Sequence, residues 1–389
     1  NMSGKALALI RYAPLLALWT VFADGLSISA DLSYRNPSYR NPTVSMTKRK
    51  LIIDTDGVSD DIRAISLAMQ HPDVEIIAFT TTHGCVSATQ AAANVARAQR
   101  ANGIEKKIPI YKGASSQLIK NDVTNELASD ESFFFGKDGL GDQPNAFPEV
   151  LESDFSCWES EHAAQALIRL TKEHKDVTLV AIGPLTNLAL ALKLDDNFKT
   201  QPVRVVIMGG NYYGMGNVNS QTSAEFNFHG DPEAASIVLA EIESPITVVP
   251  WEAFALDGKK HEKEVDFHAH LSFGTPLADF FSTATSVGRK ELAKANRQYA
   301  YCDEIAVMTA IVPEKVVKDS KRFRVKVELA GKYTRGQVMV DWTDQLWEHE
   351  DNNERGVDRT RRPITFVTAY DVQYVDGMIR EIVSKSKRQ

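Results

Sequence analysis

From Lys50 onward, short apolar runs alternate with stretches of helical period. No other feature of the 389-residue chain constrains its fold as much. The runs at 51–55, 74–82, 108–112, 177–182, 203–208 and 246–249 are rich in Ile, Val and Leu and read as strands. Helical patterns occupy 60–70, 87–102, 161–174, 186–194 and 232–240 between them. This alternation predicts an α/β fold, a mostly parallel central sheet with helices on both faces. Functional groups in such sheets gather at the carboxyl ends of the strands. The stretch 113–155, rich in Gly, Asn and Asp, reads as a long loop with some helix. Towards the C-terminus the pattern changes. Runs at 324–330 and 337–342, separated by Gly331 and Gly336, predict a small antiparallel addition. A strand at 364–369 and a helix at 371–384 close the chain.

The first 45 residues stand apart from this domain, which extends over 48–385. Lys5 and Arg11 lead into an apolar run at 12–23, too short for a membrane span but suited to a signal-peptide core. Ala23 and Ala30 are residues that a signal peptidase accepts. A duplicated Tyr-Arg-Asn-Pro tract at 34–37 and 39–42 reads as linker. Two readings stay open: secretion, if residues 5–23 act as a signal peptide, or a cytoplasmic protein, if translation starts at Met46. No repeat architecture and no transmembrane helix is expected.

The formal net charge of −7 disfavours a nucleic-acid partner and suits a small neutral substrate or a cation. Cys85, Cys157 and Cys302 have no CxxC spacing, so neither a zinc knuckle nor a disulfide framework is expected.

The densest chemistry lies in Leu51-Ile52-Ile53-Asp54-Thr55-Asp56-Gly57-Val58-Ser59-Asp60-Asp61, four carboxylates where a buried strand gives way to a helix. Asp54 and Asp56 are two apart, on one face of an extended strand. Asp60 and Asp61 open a helix, whose dipole favours negative charge. Crowded carboxylates raise one another's pKa unless a cation sits among them, and an all-oxygen donor set suits Ca²⁺ or Mg²⁺ rather than zinc. Helix capping accounts for one or two of these residues and leaves the others unexplained.

The segment resembles the DxDPGxDDxxA signature of the inosine-uridine-preferring nucleoside hydrolase family, with Gly57-Val58 in place of Pro-Gly. Further segments resemble that family in order: Thr80 to Cys85, with Cys85 replacing an Asn; Gly136 to Gly141; Ile182 to Ala189; Met208-Gly209-Gly210, then Gly216-Asn217 and Ala224 to Asn227; Asp231 to Ala235; and Cys302-Asp303, with Cys302 replacing a His. The resemblance covers roughly 48–385. It implies a Rossmann-like fold and Ca²⁺-dependent cleavage of the N-glycosidic bond of ribonucleosides, in a homo-oligomer, dimer or tetramer. It assigns the metal to Asp56, Asp61, Asp303 and the Ile182 carbonyl, and general base catalysis to Asp56. Ribose contacts fall to Asp60, Cys85, Asn217, Glu225, Asn227 and Asp303, and Asn219 competes with Asn217 because it keeps the family's six-residue spacing to Glu225.

The missing His at 302 leaves open what protonates the departing base. Tyr299, Tyr301 or an aromatic of the Phe run at 133–135 could stack on it, or could be plain core. Trp251 is read as packing. Two other functions remain. A strand ending in DxDG also begins haloacid-dehalogenase phosphatases, which would release inorganic phosphate. A non-catalytic, Ca²⁺-dependent ribose-binding protein would bind without releasing a base.

Overall fold

A computed structural model describes residues 48–120, 134–343 and 362–387. The leader readings for 1–45, Phe133 and the middle of the 113–155 loop lie outside the described residues. The strands are β1 (Arg49–Thr55), β2 (Val74–Thr81), β3 (Ile110–Lys112), β4 (Val177–Ala181), β5 (Arg204–Met208), β6 (Ile246–Val249), β7 (Val317–Val327), β8 (Val338–Asp341) and β9 (Ile364–Tyr370). They form one sheet in the order β3-β2-β1-β4-β5-β6-β9-β7-β8. Pairing is parallel from β3 through β9, and β7 runs antiparallel to both β9 and β8.

Alternate residues of the central strands feed two separate cores, because side chains along a strand point to opposite faces. Leu51 and Ile53 of β1, Val180 of β4, and Val206 and Met208 of β5 join one core. Ile52, Leu179, Val205 and Ile207 join the other. A continuous apolar run therefore marks a strand covered on both sides.

The longer helices are α1 (Ser59–Gln70), α2 (Ala88–Ala101), α3 (Ala163–Glu173), α4 (Thr186–Leu194), α5 (Pro232–Glu241), α6 (Pro276–Ala284), α7 (Ser286–Lys294), α8 (Asp303–Ile311) and α9 (Val372–Lys385). The first core is covered by α1, α2, α6, α8 and α9, and the second by α3, α4 and α5. Among the described residues no helix is long and apolar enough to cross a membrane.

Two features of the C-terminal third differ from the sequence expectation. The expected antiparallel addition starts earlier than its apolar run: β7 starts at Val317, seven residues before that run, and extends the main sheet through β9. Its first half is charged because it is exposed; backbone pairing to β9 holds it in the sheet, helped by the Thr368 hydroxyl donating to Asp319 at 2.9 Å and by Lys318 paired with Asp371 at 3.2 Å. The other feature is the helical stretch from α6 to α8, which the strand pattern does not announce.

The order of β1, β2 and β3 grows outward on one side of β1, and the chain then returns to place β4 on its other side. The gap between the carboxyl ends of β1 and β4 is thus the topological switch point, where open α/β sheets place their ligands.

Candidate active site

Asp54 is the anchor of the switch point. It lies within β1, fully buried, and its Oδ1 accepts from Thr80 Oγ1 at 2.5 Å and Asn187 Nδ2 at 2.8 Å. Burial pushes its carboxyl up to about 7, against the pull of those two donors. Asn187 also accepts from the Ala114 N–H, so it ties β1 to the loop after β3 and to α4. Thr80 and Asn187 were legible only as members of the quoted segments, with no role attached.

Asp56 is the first residue beyond β1 and is buried, with Oδ2 accepting the Cys85 N–H at 2.7 Å. Burial raises its pKa. Gly84 makes this approach possible: a Cβ there would stand 2.0 Å from Asp56 Oδ2. Cys85 gives Asp56 its main-chain N–H, which does not depend on the Asn-to-Cys change, and its thiol adds a weaker side-chain hydrogen bond. The β1–β4 register pairs Asp54 with Ala181, so Ile182, the first residue beyond β4, falls opposite Thr55, next to Asp56. A Cβ on Gly183 would meet the Asp56 backbone N at 2.9 Å.

Past Gly57 the chain enters α1. Asp61 accepts from the Thr55 hydroxyl and, at 3.2 Å, from the Val58 N–H, which fixes the first turn. Asp60 sits beside it with a buried Oδ1 that has no hydrogen-bond partner. From the far end of the chain α8 brings Asp303 in its own first turn. Oxygens of Asp60, Asp61 and Asp303 lie within 4.8 Å of one another. Burial, then neighbouring carboxylates, push Asp61 and Asp303 well above the usual range, and burial with Glu304 lifts Asp60 to about 7.

At that spacing two ionised carboxylates repel by about 3–4 kcal/mol in a medium of effective dielectric 20. The two helix N-termini that converge here return about 1 kcal/mol each. The deficit, the orphaned Asp60 oxygen and the all-oxygen donor set fit a hard divalent cation.

The resemblance gave Asp60 to ribose and Asp56 to the metal. The tight carboxylate group contains Asp60, and Asp56 borders it, acting on Asp61. The Ile182 carbonyl accepts Asn227 Nδ2 at 3.3 Å.

Glu225 and Asn227 do not share an extended strand. Glu225 is the N-cap of a short helix, Phe226–Gly230. Its carboxylate takes the N–H groups of Asn227, Phe228 and Gly210 at 2.8, 3.1 and 2.7 Å. Burial nevertheless lifts it to about 7. Asn217 Oδ1 accepts the Phe226 N–H at 2.7 Å, whereas Asn219 closes its own turn on Gln221 and Thr222. The structure therefore brings Asn217 to the Glu225 segment.

Cys302 is buried at the N-cap of α8, and burial drives its thiol pKa well above the ordinary value, so it is no substitute for a protonated His. Tyr299 and Tyr301 are core: their hydroxyls pair with Ser59 at 3.0 Å and Asp376 at 2.7 Å. Phe135 stays half-buried against Val58 and Val86, beside the Asp56–Asp60 turn. Trp251 stacks on Phe254 with ring centroids 4.4 Å apart.

The family model described as inosine-uridine preferring nucleoside hydrolase matches residues 51–375. Uridine nucleosidase 1 of Arabidopsis thaliana is 39% identical over 215 residues, which are 55% of this chain and only 60% of that protein. The inosine-uridine preferring nucleoside hydrolase of Leishmania major is 31% identical over 300 residues, 76% of this chain and 88% of that protein. Among solved structures, an inosine-guanosine nucleoside hydrolase superposes with a TM-score of 0.70 at 31% identity, covering 86% of this chain and 98% of that one.

Proposed function

This chain belongs to the inosine-uridine preferring nucleoside hydrolase family, and on that premise we propose that it hydrolyses the N-glycosidic bond of ribonucleosides with the aid of Ca²⁺, giving free ribose and a nucleobase. The observation that carries the reading is the convergence of Asp60, Asp61 and Asp303 within 4.8 Å at the switch point, next to Asp56. The family match sets aside the haloacid-dehalogenase alternative.

Asp61, Asp303 and Asp60 would hold the ion, with Asp56 and the Ile182 carbonyl at its border. When bound, the ion supplies a hard Lewis acid that grips vicinal ribose hydroxyls and acidifies water. Asp56, fixed through Oδ2 by the Cys85 N–H, takes the proton of the attacking water as general base. The water oxygen bonds to C1′ while the bond from C1′ to the base nitrogen breaks. The ribosyl oxocarbenium character of that transition state is stabilised by the surrounding carboxylates. Asn217, Asn227 and the Cys85 turn line the ribose. Phe135, half-buried beside the Asp56–Asp60 turn, is the residue of the Phe run proposed to stack on the base, and with Cys302 in place of the family's His the departing base nitrogen takes its proton from solvent.

Reducing-sugar release from a panel of purine and pyrimidine ribonucleosides, with Ca²⁺ and with excess chelator, tests the reading. Chelator-sensitive release of ribose is expected. Binding of Ca²⁺ and ribose with no release from any nucleoside would replace it with the binding-protein reading. Rapid hydrolysis of p-nitrophenyl riboside beside negligible hydrolysis of natural nucleosides would exclude any effective help to the leaving base.

A further inference from the structure

Behind the carboxylate group lies a buried ion pair that the mechanism above does not use. Arg63 Nε stands 2.7 Å from Glu304 Oε1, and both side chains are almost wholly enclosed, at 1% and 0% exposure. Arg63 lies one turn beyond Asp60 on α1, and Glu304 follows Asp303 on α8. The pair therefore joins the two helices that supply the cluster.

Further contacts tie α1 to the stretch that leads into α8. Arg63 donates to the Ala300 carbonyl at 3.3 Å, and its guanidinium lies 4.6 Å from the ring centre of Tyr299 and 5.5 Å from that of Tyr301. The Tyr299 hydroxyl meets Ser59 Oγ, at the start of α1, at 3.0 Å. Glu304 spends its other oxygen on the Cys302 N–H at 2.9 Å, which fixes the entry into α8.

A buried ion pair seldom repays its own desolvation, and well-packed apolar residues in its place are often neutral or stabilising. Its presence here calls for a role other than holding the fold together. Coulombic interactions link Arg63 to Asp60, so an Arg63 without Glu304 would turn its charge on Asp60 and compete with any cation for that carboxylate. Glu304 occupies Arg63 and leaves the Asp60 oxygen unpartnered and available.

We propose that the Arg63–Glu304 ion pair is the positioning device of the carboxylate group: it sets the separation of Asp60 and Asp61 from Asp303 and keeps Asp60 free, and so sets the affinity for a divalent cation. The proposal rests on the reading of that group as a Ca²⁺ site. Arg63 and Glu304 are positioning residues, since neither is placed to touch substrate.

The test is calorimetric titration of the full chain with Ca²⁺ alone, paired with thermal melts in chelator, for the wild type, the double variant Arg63→Met/Glu304→Met, and Glu304→Gln. A wild type that binds no Ca²⁺ overturns the metal reading itself, whatever the variants do. With wild-type binding established, the double variant should melt at or above the wild-type temperature yet bind Ca²⁺ about 10- to 100-fold more weakly, as loss of groups that orient ligands does. Glu304→Gln, which keeps the shape and one acceptor, should also weaken binding, because Arg63 then turns to Asp60. It tests the proposal even if the double variant fails to fold. Wild-type affinity in a folded double variant, or in Glu304→Gln, overturns the positioning role and leaves the pair a structural tie.

Discussion

The backbone N–H of Cys85 donates to Oδ2 of Asp56 at 2.7 Å, so the proposed general base is gripped by main chain from the turn after β2. The hold depends on the close approach that Gly84 allows and on the main-chain donor, to which the weakly donating thiol of Cys85 adds. Gly84→Ala should drive Asp56 out of place and lower kcat by about 100-fold or more, as a misplacement of about 1 Å does. Cys85→Ala keeps the N–H and should change kcat by no more than about threefold, the scale of a mild surface substitution. Steady-state kinetics on both variants decide the matter. Equal damage from the two would mean that the thiol does the holding.

Asp56 and Asp303 should fail differently. Asp56→Asn removes the base, with an expected loss in kcat of about 10²–10⁴-fold. Added Ca²⁺ should not recover it. Asp303→Ala removes a ligand from the tight group, so its main defect should be Ca²⁺ affinity, and turnover should return in part at high Ca²⁺. Near-normal turnover in Asp56→Asn would sink the mechanism.

Repulsion within the carboxylate group gives a prediction on stability. Asp60→Asn should melt at a higher temperature than the wild type in chelator, because one of the charges held within 4.8 Å is gone. Ca²⁺ at a hundredfold excess over its Kd should add about 2.7 kcal/mol to the wild type by mass action, and much less to the variant. Scanning calorimetry of both proteins with and without Ca²⁺ reads the effect. A wild type whose melting is indifferent to Ca²⁺ would count against a site at this group.

His270 supplies a pH dependence separate from the carboxylate group. It is fully buried, neither ring nitrogen has a hydrogen-bond partner, and burial, then Arg63, lower its pKa from 6.5 to about 2. Below pH 6.5 the unfolded chain takes up a proton at this residue and the folded chain does not. Stability from His270 is therefore whole above pH 6.5 and is lost as pH falls towards 2. Relative to the wild type, His270→Leu should gain about 1.4 kcal/mol for each pH unit of acidification below about 6. Urea melts at pH 6.0, 5.0 and 4.5 measure the difference, and parallel curves would mean that the folded protein protonates this ring.

The parallel half of the sheet was legible because strands covered on both faces leave continuous apolar runs, and β4, β5 and β6 fall within a residue of the runs that announce them. The same rule hides α8. All nine of its residues are buried, so Asp303–Ile311 has no polar stripe and hence no helical period to read. The start of β7 is hidden for the opposite reason, since Lys318 to Arg322 are exposed and pairing to β9, not an apolar face, makes them a strand. In the site, carboxylates at a strand end are legible because their crowding has no cheap structural excuse. Arg63 is not, because one Arg in a helix looks like a solvated residue until a partner from α8 encloses it. The capping role of Glu225 shows only in the structure, where its carboxylate is spent on three backbone N–H groups.

The carboxylate group draws Asp60 and Asp61 from the start of the domain and Asp303 from near its end. During synthesis, then, the chain has no place for the ion until α8 has emerged from the ribosome and docked against α1. A fragment that stops short of Asp303 can build β1 to β6 and still lack a complete site. Occupancy by calcium would thus report that the two ends of the domain have met, and a ligand that binds only the finished fold pulls late assembly forward.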